Sequence, residues 1–161
     1  MKRILTIVVF FIGIQMVVSQ NEKLPFQQLD VFSLEWVSDP QISPDGTQVV
    51  YRRNGFDIMK DNSRGNLWIV NIDGSSNRKL TSREVNESQA RWSPNGDRIA
   101  FVSATNEGSE LYMFWLKTGQ IAKLTQLEKS PNNLTWSPDG TQLAFTMFIA
   151  KKPPVVVKMP A

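Results

Sequence analysis

The chain has 161 residues, enough for one ordinary domain, and contains neither cysteine nor histidine. Disulfides, thiolate metal sites and catalytic sets of the Ser-His-Asp or Cys-His type are therefore excluded within the chain. The formal net charge is +3, and without Lys2 and Arg3 there are 16 basic against 15 acidic residues with no dense basic run, so nothing indicates nucleic-acid binding.

Residues 1–19 predict a secretory signal peptide. Two basic residues precede an apolar run from Ile4 to Val18, and Ser19 ends a stretch suited to cleavage. The run of 15 residues is shorter than the roughly 20 that span a membrane. We expect an exported, periplasmic or extracellular protein without a stable membrane anchor, and an uncleaved anchor helix is the alternative.

Residues 20–39 predict an N-terminal extension that ends in a short helix. Asp30 is a candidate N-cap for a helix over residues 31–37. The Ser38-Asp39-Pro40 segment would end this helix, because the residue before a proline avoids the helical region.

A turn followed by a short apolar strand occurs three times in the remaining sequence. The turns are Ser43-Pro44-Asp45-Gly46, Ser93-Pro94-Asn95-Gly96 and Ser137-Pro138-Asp139-Gly140. The segment that begins at Leu67 recurs 44 residues later at Leu111, and Lys79-Leu80-Thr81 recurs 44 residues later at Lys123-Leu124-Thr125. A repeat of about 40–50 residues with four strands is typical of a β-propeller blade.

The repeats predict an all-β fold, an incomplete β-propeller over residues 40–161. It comprises about two and a half four-stranded blades: blade 1 over 40–81, blade 2 over 89–125 and a partial blade 3 over 133–161. Six extra residues of blade 1 fall in a predicted loop from Arg53 to Gly65, either a solvated connection or a substrate or interdomain contact. Trp92 and Trp136 are expected to pack between blades rather than form a ligand cage.

Four segments resemble the propeller of exported prolyl oligopeptidase-family serine peptidases, especially the acylaminoacyl-peptidase-like branch. They are Val37–Gly46, Leu67-Trp68, Lys79-Leu80-Thr81 and Lys151-Lys152-Pro153-Pro154. The short helix predicted before the first of these segments resembles that branch as well. The resemblance implies a seven- or eight-bladed ring that caps a downstream α/β-hydrolase domain and admits peptide substrates by size. The family's Gly-x-Ser-x-Gly nucleophile motif is absent from this sequence. No catalytic, cofactor-binding or metal-binding residue is therefore predicted here, and no cofactor is expected.

Two other functions stay open at this point. A non-enzymatic binding propeller of the Tol type shares the Ser-Pro-Asp-Gly repeat, and a propeller fused to a metal-dependent amidohydrolase would carry its metal ligands downstream. In all three cases the sequence is expected to be the front piece of a longer protein. The unpaired third blade is expected to expose some of Leu143, Phe145, Met147 and Phe148 on its outward face.

Overall fold

A computed structural model describes residues 25–149. The predicted signal peptide over 1–19 and the segment Lys151–Pro154 lie outside the described residues. A 3₁₀ helix at Gln28–Ser33 precedes the strands, which are β1 Trp36–Ile42, β2 Gln48–Asp57, β3 Asn62–Asn71, β4 Arg78–Lys79, β5 Glu87–Trp92, β6 Arg98–Thr105, β7 Gly108–Trp115, β8 Ile121–Lys123, β9 Pro131–Trp136 and β10 Leu143–Met147.

The strands form two complete propeller blades and the beginning of a third. Blade 1 has the order β1-β2-β3-β4, blade 2 has the order β5-β6-β7-β8, and the third sheet pairs β9 with β10. All pairs are antiparallel. Leu67 pairs with Arg52 in blade 1 and Leu111 pairs with Val102 in blade 2, so the predicted repeat register and the partial propeller are confirmed.

The hydrophobic core lies between blades, and alternate residues of one strand serve different interfaces. Ile99 and Phe101 of β6 are fully buried in the cluster shared with blade 1, where they meet Val50 and Leu67. Ala100, between them in sequence, belongs instead to the cluster shared with the third sheet. Blade 2 is therefore apolar on both faces, as the uninterrupted apolar run of β6 predicts.

Each blade is tied to the next by a tryptophan and by a turn. Trp92 Nε1 donates a hydrogen bond to the Gln41 carbonyl of blade 1 at 3.1 Å. Trp136 Nε1 donates to the Arg91 carbonyl of blade 2 at 3.0 Å, in the equivalent position. The predicted role of the two tryptophans in inter-blade packing is confirmed, because their indole N–H groups are used to join neighbouring blades.

The Ser-Pro-Asp-Gly turns stack on one another at the same end of the blades. A Cβ placed on Gly96 would lie 3.5 Å from the Pro44 ring, and one placed on Gly140 would lie 3.3 Å from the Pro94 ring. Both glycines also have positive φ, at 73° and 70°. The backbone conformation favours glycine at both positions. At Gly140 the proline of the preceding blade is also closer than most Cβ contacts, whereas the distance at Gly96 is an ordinary van der Waals contact.

The predicted short helix before the propeller is present, but its predicted bounds over residues 31–37 are wrong. Asp30 accepts a hydrogen bond from the Gln27 backbone N–H at 2.7 Å and lies in the first turn of a 3₁₀ helix that ends at Ser33. Trp36 already belongs to β1, so blade 1 begins there and not at residue 40. Pairing of β1 with β2 overrides the weak helix preference of the β-branched and aromatic residues in this segment.

The first strand of each repeat carries a β-bulge that the sequence did not reveal. Asp39, Gln89 and Asn133 occupy the bulged position, with φ of 50°, 53° and 53°. Such bulges bend the strand and leave residues unpaired, which accommodates Pro40 within β1.

Of the four apolar side chains named for the third sheet, some are exposed, as expected, and others are packed. Leu143 and Phe145 pack against the cluster shared with blade 2, because they lie on the face of β10 that points back to blade 2. Ala144 and Thr146 occupy the opposite, exposed face. Phe148 is 73 % exposed, as expected.

Candidate functional site

The hairpin of β2 and β3 is where blade 1 departs most from blade 2. The pair Gly55 and Arg64 is equivalent to Thr105 and Gly108, which close the β6–β7 hairpin with a two-residue turn. In blade 1 the strands continue for two more pairs, to Asp57 and Asn62, and the turn has four residues. The six extra residues are thus located where expected, but the predicted loop from Arg53 to Gly65 is wrong, since this segment is an extended two-stranded hairpin.

Aromatic packing supports the extension at its base. The Phe56 ring meets Trp36 at 5.3 Å between ring centroids and Phe32 of the 3₁₀ helix at 6.4 Å, edge to face. At the tip, Ile58 is 55 % exposed and Met59 is 90 % exposed. The extension therefore presents two apolar side chains to solvent on a braced hairpin.

An ion-pair cluster occupies one side of the hairpin. Glu35 accepts hydrogen bonds from Arg53, whose Nε lies 3.0 Å away, and lies 3.6 Å from Arg64 Nη2. The Arg53 guanidinium also sits 4.7 Å above the Trp68 ring, in cation–π geometry. These residues line a cleft of about 140 Å³ together with Asn54, Gly55, Asn66 and Lys79.

A larger polar cleft of about 280 Å³ lies between the hairpin and the connection from blade 1 to blade 2. The Gly65 N–H donates to Asn86 Oδ1 at 2.7 Å, and Asn66 Nδ2 donates to the Val85 carbonyl at 2.9 Å. The connection is thereby held against β3. The cleft is lined by Asp57, Lys60, Asn62, Ser63, Arg64, Asn66, Glu84, Val85, Asn86 and Ala104.

These two clefts and the apolar tip form a surface suited to binding. Their lining offers charges of both signs and amide groups, but no histidine or cysteine, which the chain lacks altogether. Among residues 25–149, no cluster of three or more metal-ligating side chains occurs. That the chain carries no catalytic, cofactor or metal site stays a prediction. The same residues include no helix with the length and hydropathy of a membrane span.

Two buried glutamates lie near the blade connections and have opposite pKa shifts. Burial raises the pKa of Glu87, against the opposing effect of a 2.7 Å hydrogen bond from Thr81. Burial would also raise the pKa of Glu110, but hydrogen bonds from Thr125 and the Leu127 N–H, together with nearby Lys123, outweigh it and lower the pKa. Both side chains are nearly inaccessible to solvent, at 1 % and 4 % exposure. Glu87 also has the Leu67 N–H and two nearby cations as influences that lower its pKa, so the opposite directions reflect the stronger effect of burial at Glu87. We assign both residues a structural role.

The sequence profile of the TolB beta propeller domain matches residues 27–159. The chain therefore belongs to the TolB β-propeller domain family, and its fold and repeat architecture are those of that family.

Among curated proteins, peptidases are similar to parts of this chain. The uncharacterized peptidase YuxL of Bacillus subtilis is 30% identical over 92 residues, which are 56% of this chain and 14% of that protein. Dipeptidyl-peptidase 5 of Porphyromonas gingivalis is 37% identical over 81 residues, 50% of this chain and 12% of that protein. The resemblance to peptidase-associated propellers is confirmed, and the matched region is a small part of each relative's length.

Solved structures show the same fold at low sequence identity. The acylaminoacyl peptidase of Pyrococcus horikoshii superposes with a TM-score of 0.69 at 19% identity, covering 81% of this chain and 20% of that chain. TolB of Acinetobacter baumannii superposes with a TM-score of 0.55 at 22% identity, covering 70% of this chain and 27% of that chain.

Proposed function

We propose that this chain forms the N-terminal part of the substrate-gating propeller of an exported serine peptidase. In this proposal peptide hydrolysis is carried out by an α/β-hydrolase domain encoded beyond residue 161. The observation that carries it is the 37% identity to a dipeptidyl-peptidase over 81 residues, which are half of this chain. The chain itself cannot supply a Ser-His-Asp set, since it has no histidine.

The gating role is supported by the shape of blade 1. An insertion that projects beyond the neighbouring blades narrows the opening through which a substrate passes on that face of the propeller. The extended hairpin projects beyond the equivalent hairpin of blade 2 by two residue pairs and a longer turn. Aromatic packing around Phe56 holds the base of the hairpin in place. The hairpin can therefore exclude bulky substrates, because they do not easily displace it.

Export is part of the proposal and rests on the sequence of residues 1–19. Cleavage of this segment would leave a mature chain without a stable membrane anchor. Export is tested by adding a protease to cells whose outer envelope has been permeabilised and to fully lysed cells. Digestion of the protein in both samples is expected. Protection from the protease in the permeabilised cells would contradict export.

The test of the peptidase function uses the whole protein encoded by the reading frame. The protein should react with a fluorophosphonate probe for activated serines and hydrolyse dipeptidyl or acyl-peptide substrates, whereas the 161-residue chain alone should do neither. A reading frame that ends with the propeller ring, or a whole protein that reacts with no probe and cleaves no peptide, would refute the proposal.

A non-enzymatic binding propeller is the second candidate. It is favoured by the match of the TolB beta propeller domain over residues 27–159. The two candidates differ in what the reading frame encodes after the ring, and in whether the purified whole protein binds a protein partner without cleaving peptides. A metal-dependent amidohydrolase domain downstream would instead appear as clustered His and Asp ligands.

A further inference from the structure

Arg52 of β2 carries a half-buried guanidinium that has no hydrogen-bond or ion-pair partner among the described residues 25–149. Its Nε is shielded from solvent and meets no hydrogen-bond acceptor. Among residues 25–149, the ion pairs do not include Arg52, although the neighbouring Arg53 is paired with Glu35. A guanidinium has five N–H donors, and leaving a desolvated donor unused is unfavourable, so this arrangement requires an explanation.

Arg52 lies on the face of blade 1 that packs against blade 2, and the equivalent residue of blade 2 is apolar. Arg52 lies two residues after Val50 on the same strand and pairs with Leu67, and both of those side chains are in the inter-blade core. The equivalent residue of blade 2 is Val102, which is 5 % exposed and packs in the second core cluster. A charge therefore replaces a buried aliphatic side chain only in blade 1 of the two complete blades.

A second departure from the repeat makes room for this guanidinium. A Cβ placed on Gly65 would lie 2.5 Å from Arg52 Cζ, closer than real atoms approach, and would also clash with Arg52 Nε. The equivalent residue of blade 2 is Ser109, which has a Cβ. The Arg52 guanidinium thus occupies space that a side chain at residue 65 would fill, and it packs against the Gly65 backbone.

The carboxylates of the neighbourhood are engaged elsewhere. Glu35 is held by Arg53 and Arg64 on the other side of the hairpin. Glu87 accepts its short hydrogen bond from Thr81, and the cations that act on it are Arg83 and Lys79. Burial lowers the pKa of Arg52, as expected for a cation without a nearby counter-charge.

We propose that Arg52 binds a peptide carboxylate, either an Asp or Glu side chain or the C-terminal group. The guanidinium fork suits two parallel hydrogen bonds to a carboxylate, which a lysine ammonium cannot reproduce. Naming a peptide as the ligand rests on the proposed function, whereas the carboxylate chemistry follows from Arg52 and its surroundings. Arg52 would then select for acidic peptides among those that reach the propeller.

The test is a titration of the ¹⁵N-labelled 161-residue chain, observed through the arginine Nε–H signals. Three N-acetylated peptides of equal length serve as probes. The first has a glutamate side chain and a C-terminal amide, the second has glutamine and a free C-terminal carboxylate, and the third has glutamine and a C-terminal amide. The Arg52 Nε–H signal should shift saturably with the first two peptides and not with the third. Arg98 provides an internal control, because its buried Nε also makes no hydrogen bond but already lies 3.3 Å from Asp97 Oδ1. Its guanidinium in addition donates to the Gly140 carbonyl and lies over the Trp136 ring.

Variants make the assignment specific. Arg52→Gln should abolish binding of both carboxylate peptides, and Arg52→Lys should weaken it at least several-fold. Gly65→Ser, which restores the residue of blade 2, should weaken binding by displacing the guanidinium. A folded chain whose Arg52 signal is unmoved by either carboxylate, or moves equally with the amide peptide, would overturn the proposal.

The whole protein distinguishes an internal carboxylate from a peptide carboxylate. If the Arg52 Nε–H signal of the whole protein already shows the shift of the bound state and does not respond to peptide, a carboxylate of the protein itself occupies the site and the peptide proposal is overturned. Carboxylate binding by the chain without peptidase activity of the whole protein would refute the proposed function alone.

Discussion

Replacement of Trp92 by phenylalanine tests the inter-blade hydrogen bond that recurs along the chain. The change keeps an aromatic ring but removes the indole N–H that donates to the Gln41 carbonyl at 3.1 Å. A hydrogen bond contributes about 0.5–1.5 kcal/mol net, and an acceptor left unpaired in a partly buried interface adds to the loss. Allowing for the smaller ring, we expect Trp92→Phe to lower the free energy of unfolding by about 1–2 kcal/mol.

The assay is urea unfolding of the 161-residue chain, followed by far-ultraviolet circular dichroism. Trp36→Phe is the matched control, because Trp36 is 44 % exposed and its indole N–H meets no acceptor among residues 25–149. Trp136→Phe should resemble Trp92→Phe, since its N–H donates to the Arg91 carbonyl at 3.0 Å. If Trp92→Phe costs no more than Trp36→Phe, the tryptophans do not join the blades in the way described.

Three further predictions concern the turns and the two buried glutamates. Gly140→Ala should destabilise more than Gly119→Ala, because both glycines have positive φ but only Gly140 faces the Pro94 ring, at 3.3 Å from the added Cβ; equal losses in urea unfolding would contradict the stacking of the turns. The raised pKa of Glu87 means that the contribution of this residue to stability is fully present below the ordinary value near 4.5 and is lost as pH rises through the folded pKa, so Glu87→Gln should remove this loss. The lowered pKa of Glu110 has the opposite effect: its contribution is present at neutral pH and is lost as pH falls through the folded pKa, so Glu110→Gln should be destabilising at pH 7 and not at low pH. Unfolding curves across pH 3–8 that are superimposable for wild type and both variants would show that neither carboxylate is coupled to folding.

The repeat architecture was predictable because its signals are local. Proline, aspartate and glycine specify the turns through backbone preferences, and the apolar run after each turn specifies a buried strand. Spacing alone then placed Leu67 and Leu111 in equivalent strands, as the pairing confirms. In blade 2, Asn95 replaces the turn aspartate, and Ser93 Oγ donates to Asp97 at 2.9 Å instead of to the residue two positions on, as Ser43 does with Asp45.

The misassigned segments are those whose structure depends on distant residues. Trp36 and Val37 form a strand because β2 is available to pair with them, and a local helix signal at Asp30 could not reveal this. The charged stretch from Arg53 to Gly65 has the composition of a loop. In the structure, however, Glu35 forms an ion pair with Arg53, and the Trp68 ring packs against the Arg53 guanidinium. The candidate binding surface was anticipated only as an insertion, since its clefts arise where β3 meets the blade connection.

The blade 1 hairpin is the part of the account that links the fold to function. If it limits access to a downstream active site, its removal should change which peptides are cleaved and not how fast the smallest ones are cleaved. A substrate that passes the gate freely reports on the hydrolase domain alone, whereas a long substrate reports on both.

The most direct test is therefore the substrate-length dependence of the whole protein after residues 56–63 are replaced by Asn-Glu, the two-residue turn of blade 2. Ile58→Ser combined with Met59→Ser is the matched control, because it changes the exposed tip while Phe56 and the hairpin's length are kept. The account predicts that shortening the hairpin raises kcat/KM for long peptides several-fold relative to a dipeptidyl substrate, whose kcat/KM is unchanged, and that the control leaves this ratio nearer to wild type. An unchanged ratio in a folded, active shortened variant would contradict the gating role of blade 1.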